Sequence, residues 1–169
     1  MKRYNIIRIL LILAAVTVCL TLLISCRASN PTDLLAELCS LYEDTPPLSV
    51  YFSDAPEDSE GYMSAELMRT IYGENTIPYG TSYAVAMTET TRLFEIHIIT
   101  PQNSYDREEI MRLLEKRLDI IRRGELSEFS PRIYYSTVEQ AEILRTRRHI
   151  MLTVTHDNSR IKQYLGIKE

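Results

Sequence analysis

Glu95 and His97 lie two residues apart in the run Phe94–Ile98, in which apolar and polar side chains alternate. This alternation predicts a β-strand that projects the carboxylate and the imidazole from one face, opposite the apolar residues. Such a pair could act in general acid-base catalysis or bind a transition metal such as zinc. The short-range ligand pairs typical of metal sites are missing, and ordinary solvent-facing sheet residues are the alternative interpretation.

His149 and His156 flank a second alternating run, Ile150–Thr155. A small hydrolase or metal-dependent enzyme would use His97 or His149 with nearby acids, and it requires these side chains to converge in a cleft. The sequence has no Gly-x-Ser-x-Gly turn and no glycine-rich phosphate loop, with only five glycines in all. Nucleophilic catalysis and nucleotide binding therefore have no motif behind them, and no cofactor is expected.

Cys26 is the other residue with defined chemistry, because it ends the tetrapeptide Leu23-Ile24-Ser25-Cys26 after the apolar run Ile9–Ile24. Lys2, Arg3 and Arg8 precede that run. A charged start, an apolar middle and a small residue before a cut are typical of a secretory signal, and the run is short for a membrane span. The tetrapeptide is similar to the bacterial lipobox, whose cysteine receives a diacylglyceryl group.

This interpretation divides the chain into a lipoprotein signal peptide over 1–25, a lipidated cysteine with a short tether over 26–30, and one domain over 31–169. Two acyl chains hold a protein at a membrane stably, whereas one does not. The alternatives are an uncleaved signal anchor, with Cys26 an ordinary thiol, or an ordinary signal peptidase site. Lipidated or uncleaved, the domain is expected on the extracytoplasmic face of the bacterial cell membrane.

Net charge and cysteine content narrow the class of protein. Three of the nineteen basic residues and none of the twenty-three acids lie in the signal, which leaves sixteen against twenty-three, a net charge of −7. Nucleic-acid binding is disfavoured, because phosphate binders carry basic surfaces. Of three cysteines, Cys19 lies in the signal and Cys26 is the proposed lipid site. Cys39 remains, on an apolar stripe at helical spacing, and is predicted to pack in the core.

Tyrosine is the residue type most suited to a binding surface here, since the chain has eleven tyrosines and no tryptophan. A tyrosine ring offers apolar area together with a hydroxyl group. Tyr79 with Tyr83 and the pair Tyr134-Tyr135 form the clusters of interest, although tyrosines half-buried on helix and sheet faces are the simpler interpretation. The favoured hypothesis is a non-catalytic lipoprotein domain that binds a protein or another cell-envelope component.

The elements that would position these residues follow from periodicity and capping signals. Helices are expected at about 31–43, 64–72, 106–123 and 130–140, with a terminal helix capped by Asp157 or Asn158. Strands are expected from Ser82 to a turn near Glu89-Thr90, at Leu93–Thr100, at Ala141–Thr146 and at His149–Thr155. The segment Leu48–Phe52 is either a short edge strand or an ordered loop.

The 106–123 helix is the most strongly patterned element. Asp106-Arg-Glu-Glu109 has the form of a capping box with aspartate as the cap. Its predicted inner face comprises Ile110, Leu113, Leu114, Arg117, Leu118 and Ile121. Together the elements predict an α+β domain: an antiparallel sheet of about four strands, in two hairpins, with helices packed on one face as a two-layer sandwich.

This order of elements resembles an uncharacterised family of bacterial lipoproteins, known as domain of unknown function 4358. The resemblance rests on the lipobox, a helix ending Ile71-Tyr72-Gly73, the strand Glu95–Ile99, and the motif Leu114-Glu-Lys-Arg117. It covers nearly the whole mature chain. Members often have a glycine in the last hairpin, where this chain has Arg147-Arg148. The resemblance implies no known catalytic or binding residues.

Overall fold

The structure is a computed structural model that describes residues 30–73, 75–88, 92–124 and 131–168, with side chains of the last range from residue 135 onward. Its elements in chain order are α1 (Pro31–Cys39), β1 (Leu48–Phe52), α2 (Ala65–Tyr72), β2 (Ser82–Thr88), β3 (Glu95–Thr100), α3 (Ser104–Arg122), α4 (Pro131–Gln140), β4 (Glu142–Arg145), β5 (Ile150–Val154) and α5 (Ser159–Leu165). The turn expected near Glu89-Thr90 lies outside the described residues.

The strands form one antiparallel sheet in the order β1-β2-β3-β5-β4, so β3 is central and β1 and β4 are the edges. His97 of β3 stands opposite Val85 on one neighbour and Leu152 on the other. The α+β class is confirmed. The sheet has five strands rather than about four, because Leu48–Phe52 pairs with β2 as an edge strand, the first of the two predicted alternatives.

Helices cover both faces of the sheet, whereas one covered face was expected. On one face α2 and α3 pack over Val85, Ile99 and Leu152. On the other, α1 and α5 pack over a second apolar cluster that includes Ala86 and Ile98. The central strands carry mostly apolar and buried side chains on both faces, and such strands need a cover on each side to exclude water. The domain therefore has three layers rather than two.

Helix α3 begins earlier than its predicted cap. Asn103 is the N-cap, and its side-chain oxygen accepts a hydrogen bond from the backbone N–H of Asp106, at 2.9 Å. Asp106 faces back and accepts from the backbone N–H of Gln102, at 3.2 Å. The prediction of Asp106 as the cap is thus wrong by one turn, because the asparagine three residues earlier satisfies the free N–H groups. The predicted inner face, including Arg117, is confirmed.

Helix α1 begins as predicted, with Asn30 as its cap and Pro31 at its first position. It ends at Cys39, four residues before the predicted end. Cys39 packs partly buried against the second apolar cluster, and burial raises the pKa of its thiol to about 11. The thiol therefore stays protonated at neutral pH, in agreement with a packing role.

Two further helix ends depend on special residues. Gly73 ends α2 with a φ of 70°, a left-handed conformation that glycine adopts without steric cost. Asn158 precedes α5, but its side chain makes no cap hydrogen bond. It instead donates to the carbonyls of Gln140 and Thr153, which ties α5 to α4 and β5. In the described part of the chain, no helix is long and apolar enough to cross a membrane.

Candidate functional site

Glu95 and His97 lie inside the protein, between the sheet and α3, with 2% and 0% of their surface exposed. They project from one face of β3, as the alternation predicts. The expectation that they face solvent is wrong, because α3 covers that face. His97 Nε2 lies 3.0 Å from Glu95 Oε2, and Tyr72 Oη lies 2.7 Å from His97 Nδ1.

Arg117 brings the matching charge from α3. Its Nη2 and Nε donate to the two Glu95 carboxylate oxygens, at 2.5 and 3.1 Å, which is the bidentate geometry that suits a guanidinium. Its Nη1 donates to the backbone carbonyl of Ile71, at 3.3 Å. The four side chains form a buried network, here called the Glu95 network: Tyr72, Glu95, His97 and Arg117.

The protonation states follow from these contacts. Burial alone would raise the pKa of Glu95, but the Arg117 charge and the His97 hydrogen bond lower it to about 2. Burial lowers the pKa of His97 below its ordinary value, against the opposing pull of Glu95. Because a carboxylate only accepts, a neutral His97 donates from Nε2 to Glu95 and accepts at Nδ1 from the Tyr72 hydroxyl. Burial also raises the pKa of Tyr72, so this hydroxyl keeps its proton.

This hydrogen-bonded series looks like a proton relay, but it has no exposed end. Tyr72 and His97 have no exposed surface, and both ring nitrogens of His97 are already engaged. A general base must reach a substrate proton, directly or through one water. Within the described residues no group of three or more histidines, cysteines or acids could hold a metal ion. We therefore interpret the Glu95 network as a structural element that joins the sheet to α2 and α3.

The two other histidines do not join the Glu95 network. His149 lies just before β5, buried, and its Nδ1 is 2.8 Å from Thr100 Oγ1. His156 packs edge-on against the Tyr42 ring, with ring centres 5.4 Å apart, on the other side of the sheet. The structure thus does not bring the histidines together in one cleft.

The best candidate for a functional site is a groove of about 620 Å³ between α2 and the loop of residues 75–81, here called the tyrosine groove. Tyr79 is fully exposed, whereas Met63, Ile77 and Tyr83 are buried beneath it. Thirteen of the residues that the structure describes line it: Ser53, Tyr62, Met63, Ala65, Met68, Thr76, Ile77, Pro78, Tyr79, Gly80, Thr81, Ser82 and Tyr83.

The predicted tyrosine clusters separate in the structure. Tyr79 and Tyr83 both line the tyrosine groove, one exposed and one buried. Tyr135 is two-thirds exposed on α4 and does not line this groove. The Tyr134 side chain lies outside the described residues. Tyr62 was missed, because it stands in a connector without periodicity, and only its aromatic character could have marked it.

The Glu95 network holds one wall of the groove. Arg117 binds the carbonyl of Ile71 and His97 binds Tyr72, so the last turn of α2 is attached to α3 and to the sheet. The same helix contributes Ala65 and Met68 to the groove. Sequence reasoning could have found the ion pair, since arginine on an apolar helix face and glutamate inside a strand both need a buried partner.

A second hollow of about 390 Å³ lies on the other side of the same loop. It shares Thr76, Ile77, Pro78 and Tyr79 with the tyrosine groove, and Glu109 and Arg112 of α3 also line it. The loop thus borders a hollow with charged side chains and a groove whose described lining residues carry no charge. Comparison of the chain with protein-family models, with curated proteins and with solved structures gave no match.

Proposed function

We propose that this chain is a lipid-anchored lipoprotein on the extracytoplasmic face of the bacterial membrane, with a non-catalytic domain that binds a cell-envelope component through the tyrosine groove. The anchor is the diacylglyceryl group on Cys26. The tyrosine groove carries the binding half of the proposal, because it is open and close to the point where the tether enters the domain. We also propose that the chain is related to the lipoproteins known as domain of unknown function 4358.

The position of Asn30 supports this arrangement. Asn30 and Pro31 line a small hollow together with Ser53 and Ser82. The same two serines also line the tyrosine groove, so the groove begins beside the start of α1. From Cys26 to this helix is about four residues, which reach roughly 15 Å at about 3.5 Å each. A lipid on Cys26 would keep the groove within a short distance of the membrane surface.

The envelope hydrolase or metal-dependent enzyme acting through His97 or His149 is the alternative hypothesis. It requires an imidazole with a free nitrogen in a cleft, next to an acid. His97 has the acid, but not the cleft. The tyrosine groove has the opening, but its described lining residues include no acid, histidine or cysteine. We therefore favour binding over catalysis.

In-cell photo-crosslinking tests the proposal directly. A photoreactive phenylalanine analogue replaces Tyr79 in one full-length chain and Tyr135 in a matched control chain, since both positions are exposed. We expect a crosslinked adduct from position 79 and not from position 135. The Tyr79 adduct should weaken in a Cys26→Ala background, because the domain is then no longer held at the membrane.

Intact mass of the membrane-extracted protein separates the two halves of the proposal. A chain that begins at a lipid-modified Cys26 supports the anchor, and an unmodified full-length chain contradicts it. Equal crosslinking from both positions, or none from position 79, contradicts the binding role of the groove.

A further inference from the structure

We propose that the tyrosine groove binds a neutral saccharide. This inference rests on the proposed function and specifies the class of ligand. It depends on three properties of the lining residues that the structure describes: they carry no charge, they combine aromatic rings with hydroxyl groups, and one buried hydroxyl among them has no hydrogen-bond partner within the described part of the chain.

The thirteen lining residues that the structure describes include no aspartate, glutamate, lysine, arginine or histidine. A quarter of the chain is charged, so the groove departs strongly from the composition of the protein. A charged ligand would lose its hydration there without gaining an ion pair, which is costly. The charged hollow across the loop, with Glu109 and Arg112, shows that the same loop borders ionic groups on its other side.

Seven of the thirteen lining residues carry a hydroxyl group, and three of these are tyrosines. A sugar ring has C–H faces that pack on aromatic rings, while its edge of hydroxyls both donates and accepts hydrogen bonds. Tyrosine serves both needs, since it combines apolar area with a polar end. Tyr79 is exposed at the rim, Tyr62 is half-buried, and Tyr83 is buried.

Thr81 provides the third property. It lines the groove and is 4% exposed, and its Oγ1 has no hydrogen-bond partner among the described residues. Buried hydroxyls nearly always have a partner, and leaving one unsatisfied is unfavourable. The groove lining thus contains one hydroxyl group that no described residue satisfies. A saccharide, which donates and accepts, can satisfy it in either role.

A proline-rich peptide is the competing ligand, because aromatic grooves also recognise extended polyproline helices. Proline offers carbonyl acceptors but no N–H donors, so it would leave the acceptor positions of the groove hydroxyls unmatched. The volume of about 620 Å³ is in the range of small-molecule sites and suits a short oligosaccharide. A saccharide can therefore pair with more of the hydrogen-bonding groups of the groove than a proline-rich peptide can.

Isothermal titration of the full-length chain, in a detergent without a sugar head group, tests this inference. The probes are chitotetraose, which is neutral, and its de-N-acetylated form, which has the same length and is cationic. A vesicle of phosphatidylcholine with a neutral glycosyl-diacylglycerol tests whether the sugar comes from a membrane lipid. We expect saturable binding of chitotetraose or of the glycolipid vesicle, and weaker binding of the cationic oligomer.

Three variants localise the site. Tyr79→Ala should weaken binding about tenfold, as expected for loss of an aromatic anchor. Thr81→Val keeps the side-chain shape, removes the hydroxyl, and should weaken binding about fivefold. Tyr135→Ala is the matched control and should leave binding unchanged. Thermal melts of all three check that the fold is intact.

Several outcomes would overturn the inference: binding of neither neutral probe, tighter binding of the cationic oligomer, tighter binding of a proline-rich decapeptide, or equal losses from Tyr79→Ala and Tyr135→Ala. These outcomes are distinguishable from failure of the proposed function. If position 79 crosslinks in cells while both neutral saccharides fail to bind, the binding role stands and the ligand class is wrong. If position 79 gives no adduct, the binding role itself fails.

Discussion

The Glu95 network and the tyrosine groove divide the chemistry of this domain between them. The network contains an acid, a histidine and an arginine, all buried, and Glu95 is hydrogen-bonded to both His97 and Arg117. The groove is open, yet the side chains that line it in the described part of the chain are apolar or carry a hydroxyl group. One region has reactive groups without access, and the other has access without reactive groups. The separation favours a role in binding, because catalysis would need both in one place.

The two regions are nevertheless connected through α2. The Glu95 network holds the last turn of this helix, while its first turns form a wall of the groove. A rigid wall lowers the entropy cost of binding, since the site does not have to be ordered by its ligand. The buried charges thus serve the exposed surface indirectly, and variants of each region should separate stability from binding.

The largest expected effect comes from Glu95→Gln. The change leaves the Arg117 guanidinium buried without its counter-charge, and breaking a buried pair in this way typically costs ~3–5 kcal/mol. Urea denaturation followed by circular dichroism measures the loss. Glu142→Gln is the matched control, because Glu142 pairs with Lys162 at 3.0 Å in a partly exposed position and should cost at most about 1 kcal/mol.

The double variant Glu95→Gln/Arg117→Leu sharpens this test. It removes both charges and keeps an amide that can accept from His97. It should therefore recover part of the stability that Glu95→Gln loses. No difference between Glu95→Gln and Glu142→Gln would contradict the central role of the Glu95 network.

A smaller loss is expected from Tyr72→Phe. The substitution keeps the packed ring and removes the hydroxyl that donates to His97, which leaves Nδ1 buried without a donor. An unsatisfied buried group costs about 1–3 kcal/mol. Tyr135→Phe, at an exposed position, should leave the urea midpoint unchanged. Equal stability of the two variants would show that the hydroxyl of Tyr72 adds nothing.

Acidification should weaken the domain in two stages. His97 and Glu95 both have folded-state pKa values below their ordinary values of 6.5 and 4.5. The unfolded chain therefore binds more protons, so each contribution is complete above the ordinary pKa and is lost as the pH falls. His97 gives a modest decline below about pH 6.5, and Glu95 a further one between about pH 4.5 and 2.

Urea midpoints measured across this range for the wild type and for Glu95→Gln test the assignment. The second stage should shrink in the variant, because the glutamine does not titrate. If the loss of stability in the second stage is the same in both proteins, it comes from carboxylates other than Glu95.

The smallest effect on stability is expected from Tyr79→Ala. The side chain is fully exposed, and surface substitutions away from caps and ion pairs change stability little. The melting temperature should match that of the wild type, whereas saccharide binding falls. A lowered melting temperature would show that the ring of Tyr79 stabilises the loop. The loss of binding in Tyr79→Ala would then be ambiguous, and Thr81→Val would have to localise the site.

Periodicity predicted the elements well where the pattern was long. The inner face of α3, including Arg117, could be read from helical spacing, and the start of α1 from Asn30 and Pro31. It failed for the cap of α3, because Asn103 and Asp106 both satisfy the capping preferences. Periodicity also predicted helices on one face of the sheet, whereas helices pack on both. Burial of both faces depends on which helix packs on which side, and periodicity does not specify this.

Sequence reasoning placed Glu95 and His97 on one face of a strand, which is correct, but on a solvent-facing one, which is not. Strand alternation defines which residues share a face, but not what lies above it. Arg117 and Glu95 are far apart along the chain and meet only because α3 crosses β3. The sequence did not predict the groove either, since Tyr62 and Tyr79 lie in separate connectors that meet only in the folded chain.

By itself, the sequence determined the short-range features of this protein: the basic start and apolar run that end in the lipobox-like tetrapeptide at Cys26, the acidic net charge, the strand and helix periods, and the caps that begin α1 and end α2. These depend on neighbours within a few residues. Only the tertiary structure decided that the acid and histidine are buried, and that a groove without charged side chains among its described lining residues opens near the start of α1. Burial and cavity shape depend on contacts between distant segments. A local pattern, such as the apolar face around Arg117, indicates that a partner is needed but does not specify which segment supplies it.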